Sequence, residues 1–372
     1  MPPVSEQNEK MEITKGSGAV QFEKKIRYAS ILSPLENFEK VEQKIEFRKD
    51  SLLNHWSRVN TLRAERVKQA SNPNESFQQN LNDLVENSGK KCFFCPDNIL
   101  KSTPKFPAEL ALGDRIIVDN FTLFPNLFVF SEFHAVGTLG NQHFTPISEI
   151  TAKTWKNAIQ GAIKYYKAVY NSRNEVKYPT FNFNFLPPSA SSIVHPHIQI
   201  TQDIKLTKMC DEFITKSENY YKENSSNYWL DLIASEKMIK ERFISENDFM
   251  AWFATFSPFG KNELTGVVKI EKTDITQFSD EEMELLGLEI TKALSALYNG
   301  RSARSVNMAI FLGPVQENYS EFYRIHVKIV TRPLLAPNYT ADIGFMELLH
   351  NEPIAEATPE DIAKSVRDFF KN

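Results

Sequence analysis

The sequence predicts an α+β protein built from two similar halves. Its 372 residues suffice for two domains or one large duplicated unit, since domains commonly contain ~100–200 residues. Strand-like runs, one long amphipathic helix and further strand-like runs follow one another twice along the chain. This order differs from the regular strand–helix alternation of a doubly wound parallel sheet. The sequence also contains no P-loop and no G-x-G-x-x-G motif at the start of a helix.

Composition narrows the class of protein. The chain carries 43 Lys and Arg against 47 Asp and Glu, a net charge of −4, whereas sequence-independent nucleic-acid binding depends on an excess of basic residues. No apolar run reaches the ~18–20 residues of a membrane span, and the first residues lack the pattern of a signal peptide. Three cysteines cannot form a disulfide framework. We therefore expect a cytoplasmic globular protein without a nucleic-acid or membrane partner.

The first half is predicted to cover residues 26–215, after a polar segment, 1–25, that we expect to be a disordered tail. A long helix is predicted from Ser148 to about Tyr170. Its apolar residues recur every three or four positions and form one stripe: Trp155, Ile159, Ala162, Ile163, Tyr166 and Val169. Strand-like runs lie on both sides of this helix.

The second half is predicted to cover residues 216–372 and repeats the same order of elements. Its long helix should extend from Asp280 to about Tyr298, because Ser279 and Glu282 have the spacing of a capping box. A final helix is predicted where Thr358 can serve as N-cap and Pro359 as the first helical residue. No exact sequence repeat accompanies the repeated order, so the duplication is a prediction about architecture.

The strongest local signal for chemistry is the run His195-Pro196-His197-Ile198-Gln199. On an extended strand, alternate residues share a face, so two imidazoles and one amide would point the same way. Polar groups on an otherwise apolar strand are costly unless they are satisfied or used. Taken alone, an H-x-H pair is more often two surface histidines at a strand end.

A second signal is the C-x-x-C formed by Cys92 and Cys95. Two thiolates at this spacing make half of a tetrahedral zinc site. No second C-x-x-C exists, so the remaining ligands would be histidines, and His134, His143 and His195 are the candidates. The alternative is a pair of buried free cysteines acting as small hydrophobic residues.

Weaker signals come from basic and amide side chains. Arg63 and Arg66 have a spacing that lets both reach one phosphate, and guanidinium groups suit bidentate phosphate contacts. Asn182 and Asn184 alternate with phenylalanines, which places two amides on one face of a strand. Surface arginines are common, and the phenylalanines are explained by core packing.

At these residues the sequence resembles the galactose-1-phosphate uridylyltransferase and ADP-glucose phosphorylase family of the histidine triad superfamily. The resemblance extends from about Glu46 to Arg367, and its markers occur in the family's order. They are the segments EFRKDSLLNHWSRVNTLRAER, CFFCPDN, HAVGTLGNQHFTPISEI, FNFNFLPPSASSIVHPHIQI, WFATFSPFG, YRIHVKIVTRPLL and PEDIAKSVR. The resemblance implies two tandem histidine-triad-like halves, each a mostly antiparallel sheet with helices packed on it.

The resemblance also implies roles for individual residues. His197 would be the nucleophile that forms a covalent nucleotidyl-histidine, and Gln199 and Ser192 would contact the phosphate oxygens. Substrate would be bound by Arg63, Arg66, Asn184 and His326. A structural Zn²⁺ would be held by Cys92, Cys95, His143 and His195. The expected donor is a nucleotide or nucleotide sugar, and the expected acceptor is phosphate or a sugar phosphate. The sequence leaves open whether the protein forms a homodimer.

Several positions depart from the family pattern. The family's glycines near the active-site turn are replaced by residues 186–190, Ile198 stands where the uridylyltransferases have Gly, and Arg324 replaces a histidine. These changes weaken the case for galactose chemistry more than the case for nucleotidyl transfer. Two alternatives stay open: a dinucleoside polyphosphate phosphorylase or hydrolase, and a non-catalytic nucleotide-binding protein.

Overall fold

The computed structural model describes residues 9–66, 76–338 and 340–370. Within these ranges the strands are β1 (Glu9–Lys15), β2 (Gln21–Ser33), β3 (Glu39–Lys49), β4 (Trp56–Val59), β5 (Ile116–Val118), β6 (Phe121–Pro125), β7 (Phe133–Leu139), β8 (Tyr178–Phe185), β9 (His197–Asp203), β10 (Phe243–Glu246), β11 (Met250–Ala254), β12 (Leu264–Val268), β13 (Val306–Phe311), β14 (His326–Thr331) and β15 (Ile354–Ala355). The helices are α1 (Phe77–Gly89), α2 (Pro96–Ser102), α3 (Ala152–Ser172), α4 (Lys208–Asn224), α5 (Tyr228–Ile239), α6 (Asp280–Gly300), α7 (Phe345–Leu349) and α8 (Pro359–Val366).

One ten-stranded antiparallel sheet contains strands from both predicted halves, in the order β10-β11-β12-β14-β13-β8-β9-β7-β6-β5. The two halves meet where β13 pairs with β8, with Asn307 opposite Asn184. Each half contributes three strands, one long helix and two further strands, and the two sets are arranged symmetrically about this central pair. The predicted α+β fold and its duplication are therefore confirmed, and the two half-sheets form one continuous sheet.

Both long helices form where the apolar periodicity predicts them. They pack on one face of the large sheet, and a single apolar core lies between helices and sheet. Ser279 and Glu282 form the predicted capping box at the start of α6. The two helices approach closely, since a Cβ on Gly287 would lie 2.6 Å from the Ala152 carbonyl oxygen. Thr358 caps α8 as predicted, with Pro359 as its first residue.

The prediction of a disordered segment over residues 1–25 is wrong for residues 9–25. These residues form β1 and the start of β2, in a second sheet of order β1-β2-β3-β4-β15. Val20 and Phe22 are buried in a cluster with aromatic residues of α4 and α5, and Ser17 N–H donates to Ser235 Oγ at 2.7 Å. Few apolar residues stand among the charged ones in this segment, so the sequence carried only a weak strand signal. Residues 1–8 lie outside the described residues.

The predicted boundary between residues 215 and 216 does not separate two units, because α4 continues across it. α4 and α5 form a bridge between β9 and β10, and they supply Phe213 and Trp229 to a second apolar cluster. Among the described residues, no helix has both the length and the apolar character needed to cross a membrane.

Candidate functional site

Four sulfur and nitrogen ligands converge at one end of the large sheet. The ligand atoms of Cys92, Cys95, His143 and His195 all lie within 4.8 Å of one another. Cys95 Sγ is 3.5 Å from His143 Nδ1 and 3.7 Å from His195 Nδ1. Tetrahedral zinc with bonds of ~2.3 Å to sulfur and ~2.0 Å to nitrogen separates such atoms by about 3.5 Å. The cluster therefore has the donor set and dimensions of a structural metal site.

The local fold brings these four residues together. Cys95 caps the short helix α2, while His143 follows β7 and His195 precedes β9. Both imidazoles direct Nδ1 to the centre, and their Nε2 atoms contact Ser88 Oγ at 2.9 Å and Gly140 O at 3.0 Å. Such outer contacts orient ligating histidines. Because β7 pairs with β9, the two strands hold the third and fourth ligands in register.

Electrostatics also suit a cation at this point. Burial, with the neighbouring Cys92, raises the pKa of the Cys95 thiol to about 11. Burial lowers the pKa of His195 to about 4, so its imidazole is neutral and its ring nitrogen can donate a lone pair. A metal ion would supply the positive charge that the thiolates of buried Cys92 and half-buried Cys95 need.

His134, the other candidate ligand, lies outside the cluster. Its Nε2 is 3.1 Å from both Asn126 Nδ2 and Gln199 Oε1. His134 therefore supports the Gln199 side chain from the neighbouring strand β7. Burial lowers the pKa of His134, which keeps this contact between neutral groups.

His197 lies two residues beyond His195, at the first position of β9. Its Nδ1 is 2.9 Å from the His195 carbonyl oxygen, so Nδ1 carries the proton and Nε2 keeps its lone pair. No described residue forms a hydrogen bond with Nε2. The Phe94 ring, from the C-x-x-C loop, packs edge-on against the imidazole with ring centroids 5.3 Å apart. The Phe94 ring thus connects the loop of the candidate metal site to His197.

Three polar residues that the sequence analysis singled out, Gln199, Asn182 and Asn184, share the face of the sheet on which His197 lies. Asn182 is directly opposite Gln199 in the β8–β9 pair, and Phe183 is opposite Ile198. Asn184 and His197 are the next residues on these strands, and alternation places them on the same face as Gln199. Gln199, Asn182 and Asn184 line a cavity of about 530 Å³ on this face.

Ser192 is exposed in an otherwise largely buried loop that precedes β9, and its phosphate contact stays a prediction. The turn before this loop keeps a backbone that favours glycine. Leu186 and Ala190 both have φ of 67°, a left-handed conformation that L-residues rarely adopt. Leu186 and Ala190 therefore occupy positions where the backbone conformation would suit glycine.

Arg63 and Arg66 line a separate cavity of about 640 Å³. They lie at the end of a 3-10 helix that follows β4. Lys261 and Arg332 belong to the same wall, and so do Asp342, Glu347 and Glu356. Glu356 pairs with Arg66 at 3.3 Å and with Lys261 at 3.2 Å. The Nε of Arg63 is buried and has no hydrogen-bond partner among the described residues. Phe259 and Val330 line both cavities, which makes them neighbours on one side of the molecule.

The predicted substrate contact of His326 is not supported by its position. Its side chain is 0% exposed, and its ring is stacked between Trp229 and Phe311 at centroid distances of 4.0 and 4.8 Å. Nε2 is buried and has no partner among the described residues. A substrate would have to displace aromatic side chains to reach this imidazole.

Asn307 and Arg332 are polar residues near the site that the sequence analysis missed. Asn307 lies on β13 opposite Asn184, and Arg332 follows β14. One signal could have pointed to Asn307. It lies on β13, the strand of the second half that corresponds to β8, the strand of Asn184, in the first half. Without the sheet register, that correspondence could not be seen.

The fold defines a class of structure: the chain has the duplicated fold that is seen in ADP-glucose phosphorylase and uridylyltransferase structures. Among solved structures, an Arabidopsis thaliana ADP-glucose phosphorylase with bound ADP-glucose superposes with a TM-score of 0.67. That match covers 87% of this chain and 98% of the phosphorylase at 17% identity. A uridylyltransferase structure gives a TM-score of 0.61 at 16% identity, over 87% of this chain and 98% of that chain.

Sequence comparison gives one extended relative. An uncharacterised protein from Archaeoglobus fulgidus is 28% identical over 354 residues, which is 94% of this chain and 99% of the relative. No model of a known family matches the chain. The predicted resemblance is thus confirmed at the level of the fold.

Proposed function

We propose that the chain is a nucleotidyltransferase that acts on a nucleoside-diphosphate sugar through a covalent intermediate on His197. The observation that carries this proposal is the state of the His197 ring. Its Nδ1 is bonded to a fixed carbonyl oxygen at 2.9 Å, and its Nε2 has no partner among the described residues. A free, oriented nitrogen beside two amide side chains is what nucleophilic attack on phosphorus needs. The likeness to an ADP-glucose phosphorylase and a uridylyltransferase supports the class of substrate.

In the first step, His197 Nε2 attacks the α-phosphorus of the donor. The nitrogen–phosphorus bond forms while the bond from that phosphorus to the bridging oxygen breaks, and the sugar phosphate leaves with the electron pair. The His195 carbonyl oxygen accepts the hydrogen bond from Nδ1–H and stabilises the positive charge that develops on the ring. Gln199, Ser192 and Asn184 are proposed to donate hydrogen bonds to the non-bridging oxygens, where charge accumulates.

In the second step, a phosphate oxygen of the acceptor attacks the same phosphorus. The nitrogen–phosphorus bond breaks and returns the electron pair to His197. Free phosphate as acceptor would make the protein a phosphorylase, and a sugar phosphate would make it a transferase. Arg63, Arg66 and Lys261, on the wall of the 640 Å³ cavity, are proposed to bind the phosphate of the leaving group or acceptor. The phosphate would replace the contacts that Arg66 and Lys261 make with Glu356.

Cys92, Cys95, His143 and His195 are proposed to hold Zn²⁺. With four protein ligands the metal would have a structural role, because no position is left open for substrate or water. These residues fix the loop before β9, and His197 is two residues away from the last of them. The proposed contribution of these four residues to the chemistry is therefore to orient the His197 ring.

The experiment is intact-protein mass spectrometry after incubation with a panel of nucleotide sugars and dinucleoside polyphosphates, without acceptor. A mass gain of one nucleoside monophosphate, labile in acid, is expected with at least one donor. Addition of phosphate or of a sugar phosphate should then remove the adduct and identify the acceptor. Nucleotide binding without any adduct would instead favour the non-catalytic binding protein. The absence of both nucleotide binding and an adduct would refute the proposal.

A further inference from the structure

We infer that Arg332, acting through Asn307, fixes the direction of the Asn184 amide so that its NH₂ group faces the phosphate bound at His197. The inference rests on the proposed function and adds two positioning residues to it. It starts from an unbroken row of side-chain hydrogen bonds. Arg332 Nη1 donates to Asn307 Oδ1 at 2.8 Å, and Asn307 Nδ2 donates to Asn184 Oδ1 at 2.6 Å.

The direction of this row is set by its first member. A guanidinium can donate hydrogen bonds but cannot accept them, so the Asn307 atom beside Arg332 has to be the oxygen. The other end of the Asn307 amide is then the NH₂ group, which faces Asn184 and also donates to the Ser189 carbonyl oxygen at 2.9 Å. Asn184 consequently has to present its oxygen to Asn307. An asparagine alone could adopt either orientation at little cost.

The free end of the row is therefore a donor. No described residue accepts a hydrogen bond from Asn184 Nδ2. Asn184 lines the same cavity as Gln199, and register places it beside His197 on the neighbouring strand. A group that can only donate suits the non-bridging oxygens of a phosphate, whereas a carbonyl oxygen at this point would repel them.

Arg332 is itself held in place. Its Nε and Nη2 donate to the Asp342 carboxylate at 3.1 and 2.7 Å, and both side chains are mostly buried. Arg332 and Asp342 also line the 640 Å³ cavity with Arg63. The row of hydrogen bonds thus connects the wall of that cavity to the residues around His197.

The test compares four variants by the single-turnover rate of adduct formation and by the melting-temperature rise that AMP and UMP each produce. Asn307→Leu is neutral and removes the row, so the rate should fall at least tenfold. Asn307→Asp reverses the row, because the new carboxylate accepts from Arg332 and can only accept from Asn184. The Asn184 oxygen would then face the phosphate, and the rate should fall at least 100-fold.

The Arg332 variants separate direction from general stability. Arg332→Lys keeps a group that can only donate and should retain most of the rate. Arg332→Gln can present either end of its amide and should lose at least tenfold. In Asn307→Asp the carboxylate gains an ion pair with Arg332 but loses the hydrogen bond to the Ser189 carbonyl oxygen. Its melting temperature without ligand is therefore measured beside the rate, to separate a slower reaction from a loss of folding.

The outcomes are distinct. If wild type forms the adduct and Asn307→Leu forms it equally fast, the inference is overturned while the proposed function stands. An effect that follows net charge alone, with Asn307→Asp and Arg332→Gln equally slow and Asn307→Leu normal, would also overturn it. If wild type forms no adduct and neither monophosphate raises its melting temperature, the proposed function has failed, and the inference fails with it.

Discussion

His197 and His326 occupy corresponding positions in the two halves of the sheet. Each is the first residue of its strand, β9 or β14, and each ring places Nδ1 near the carbonyl oxygen two residues earlier, at 2.9 Å for His197 and 3.1 Å for His326. The two strands are also equivalent in the symmetric strand order. A duplicated unit has therefore kept the same backbone-to-imidazole contact twice.

The surroundings of the two imidazoles differ. His195 and Gln199 flank His197 at spacing two, whereas Arg324 and Lys328 flank His326. α4 and α5 cover the second position with aromatic rings, and no described metal cluster accompanies it. We therefore expect one nucleotide per chain.

The expected ratio of one nucleotide per chain can be checked by substituting His197 and His326 in turn. His197→Ala should abolish the adduct and leave metal content unchanged. His326→Phe should form the adduct at the wild-type rate, because His326 contacts only protein and its Nε2 has no partner among the described residues. Intact mass and metal analysis on the same samples give both answers. An adduct that persists in His197→Ala, or one that disappears in His326→Phe with folding intact, would contradict the assignment.

The metal cluster should stabilise the fold before it affects chemistry. A structural zinc site contributes ~10–16 kcal/mol in zinc-finger peptides, comparable with the ~5–15 kcal/mol net stability of a typical protein. Cys92→Ser should therefore lower the melting temperature strongly and reduce bound zinc below one per chain. Cys210→Ser is the matched control, since Cys210 is buried in α4, away from the cluster. Equal zinc content in wild type and Cys92→Ser would exclude this site.

The cavity arginines should serve substrate rather than folding. Replacing Arg63 or Arg66 with Lys keeps the charge but removes the planar guanidinium that can bind phosphate through two hydrogen bonds. We expect turnover to fall about tenfold or more with a melting temperature within about two degrees of wild type. Arg173→Lys, at an exposed ion pair with Glu132 and Glu175, is the control. Full turnover in both cavity variants, with every accepted substrate, would show that these arginines do not bind substrate.

Local patterns in the sequence predicted much of the fold and the Cys92–Cys95 half of the candidate metal site. The periodicity of α3 and α6, the capping box at Ser279 and the alternation around His197 are all encoded within a few residues, so the sequence displays them directly. The convergence of Cys92, Cys95, His143 and His195 was predicted through the family resemblance, because residues alone left His134 as an equal candidate.

The remaining features depend on contacts between distant segments. The strand that starts at Gln21 is stabilised by burial of Phe22 against α4 and α5, nearly 200 residues later. The burial of His326 depends on Trp229. The row from Arg332 to Asn184 exists only because β13 pairs with β8 in one register. No local pattern encodes such contacts, and a shift of one residue would turn each side chain to the other face.

A buried ion-pair network near α8 gives the last prediction. Arg242 Nε donates to Glu236 Oε1 at 3.0 Å, while its Nη1 lies 3.3 Å from Glu360 and 3.6 Å from Glu241. Arg48 donates to Glu360 through two nitrogens at 2.8 Å. Burial, together with the carboxylates of Glu360 and Glu241, raises the pKa of Glu236 to about 7 despite the attraction of Arg242.

The sign of the pH effect follows from this raised pKa. Between about pH 4.5 and pH 7 the folded state retains a proton on Glu236 that the unfolded state has lost, so this group lowers stability as pH rises through that window. Above pH 7 the loss is complete. Glu236→Gln removes the titration, so the variant should gain stability relative to wild type from pH 5 to pH 7 by more than about 1.4 kcal/mol, the equivalent of one pKa unit. The difference should stay constant at higher pH.

Urea unfolding of both proteins at steps of half a pH unit measures this difference in stability directly, because the groups that titrate alike in both proteins cancel. A difference between wild type and Glu236→Gln that stays flat across pH 5–7 would mean that Glu236 is ionised throughout.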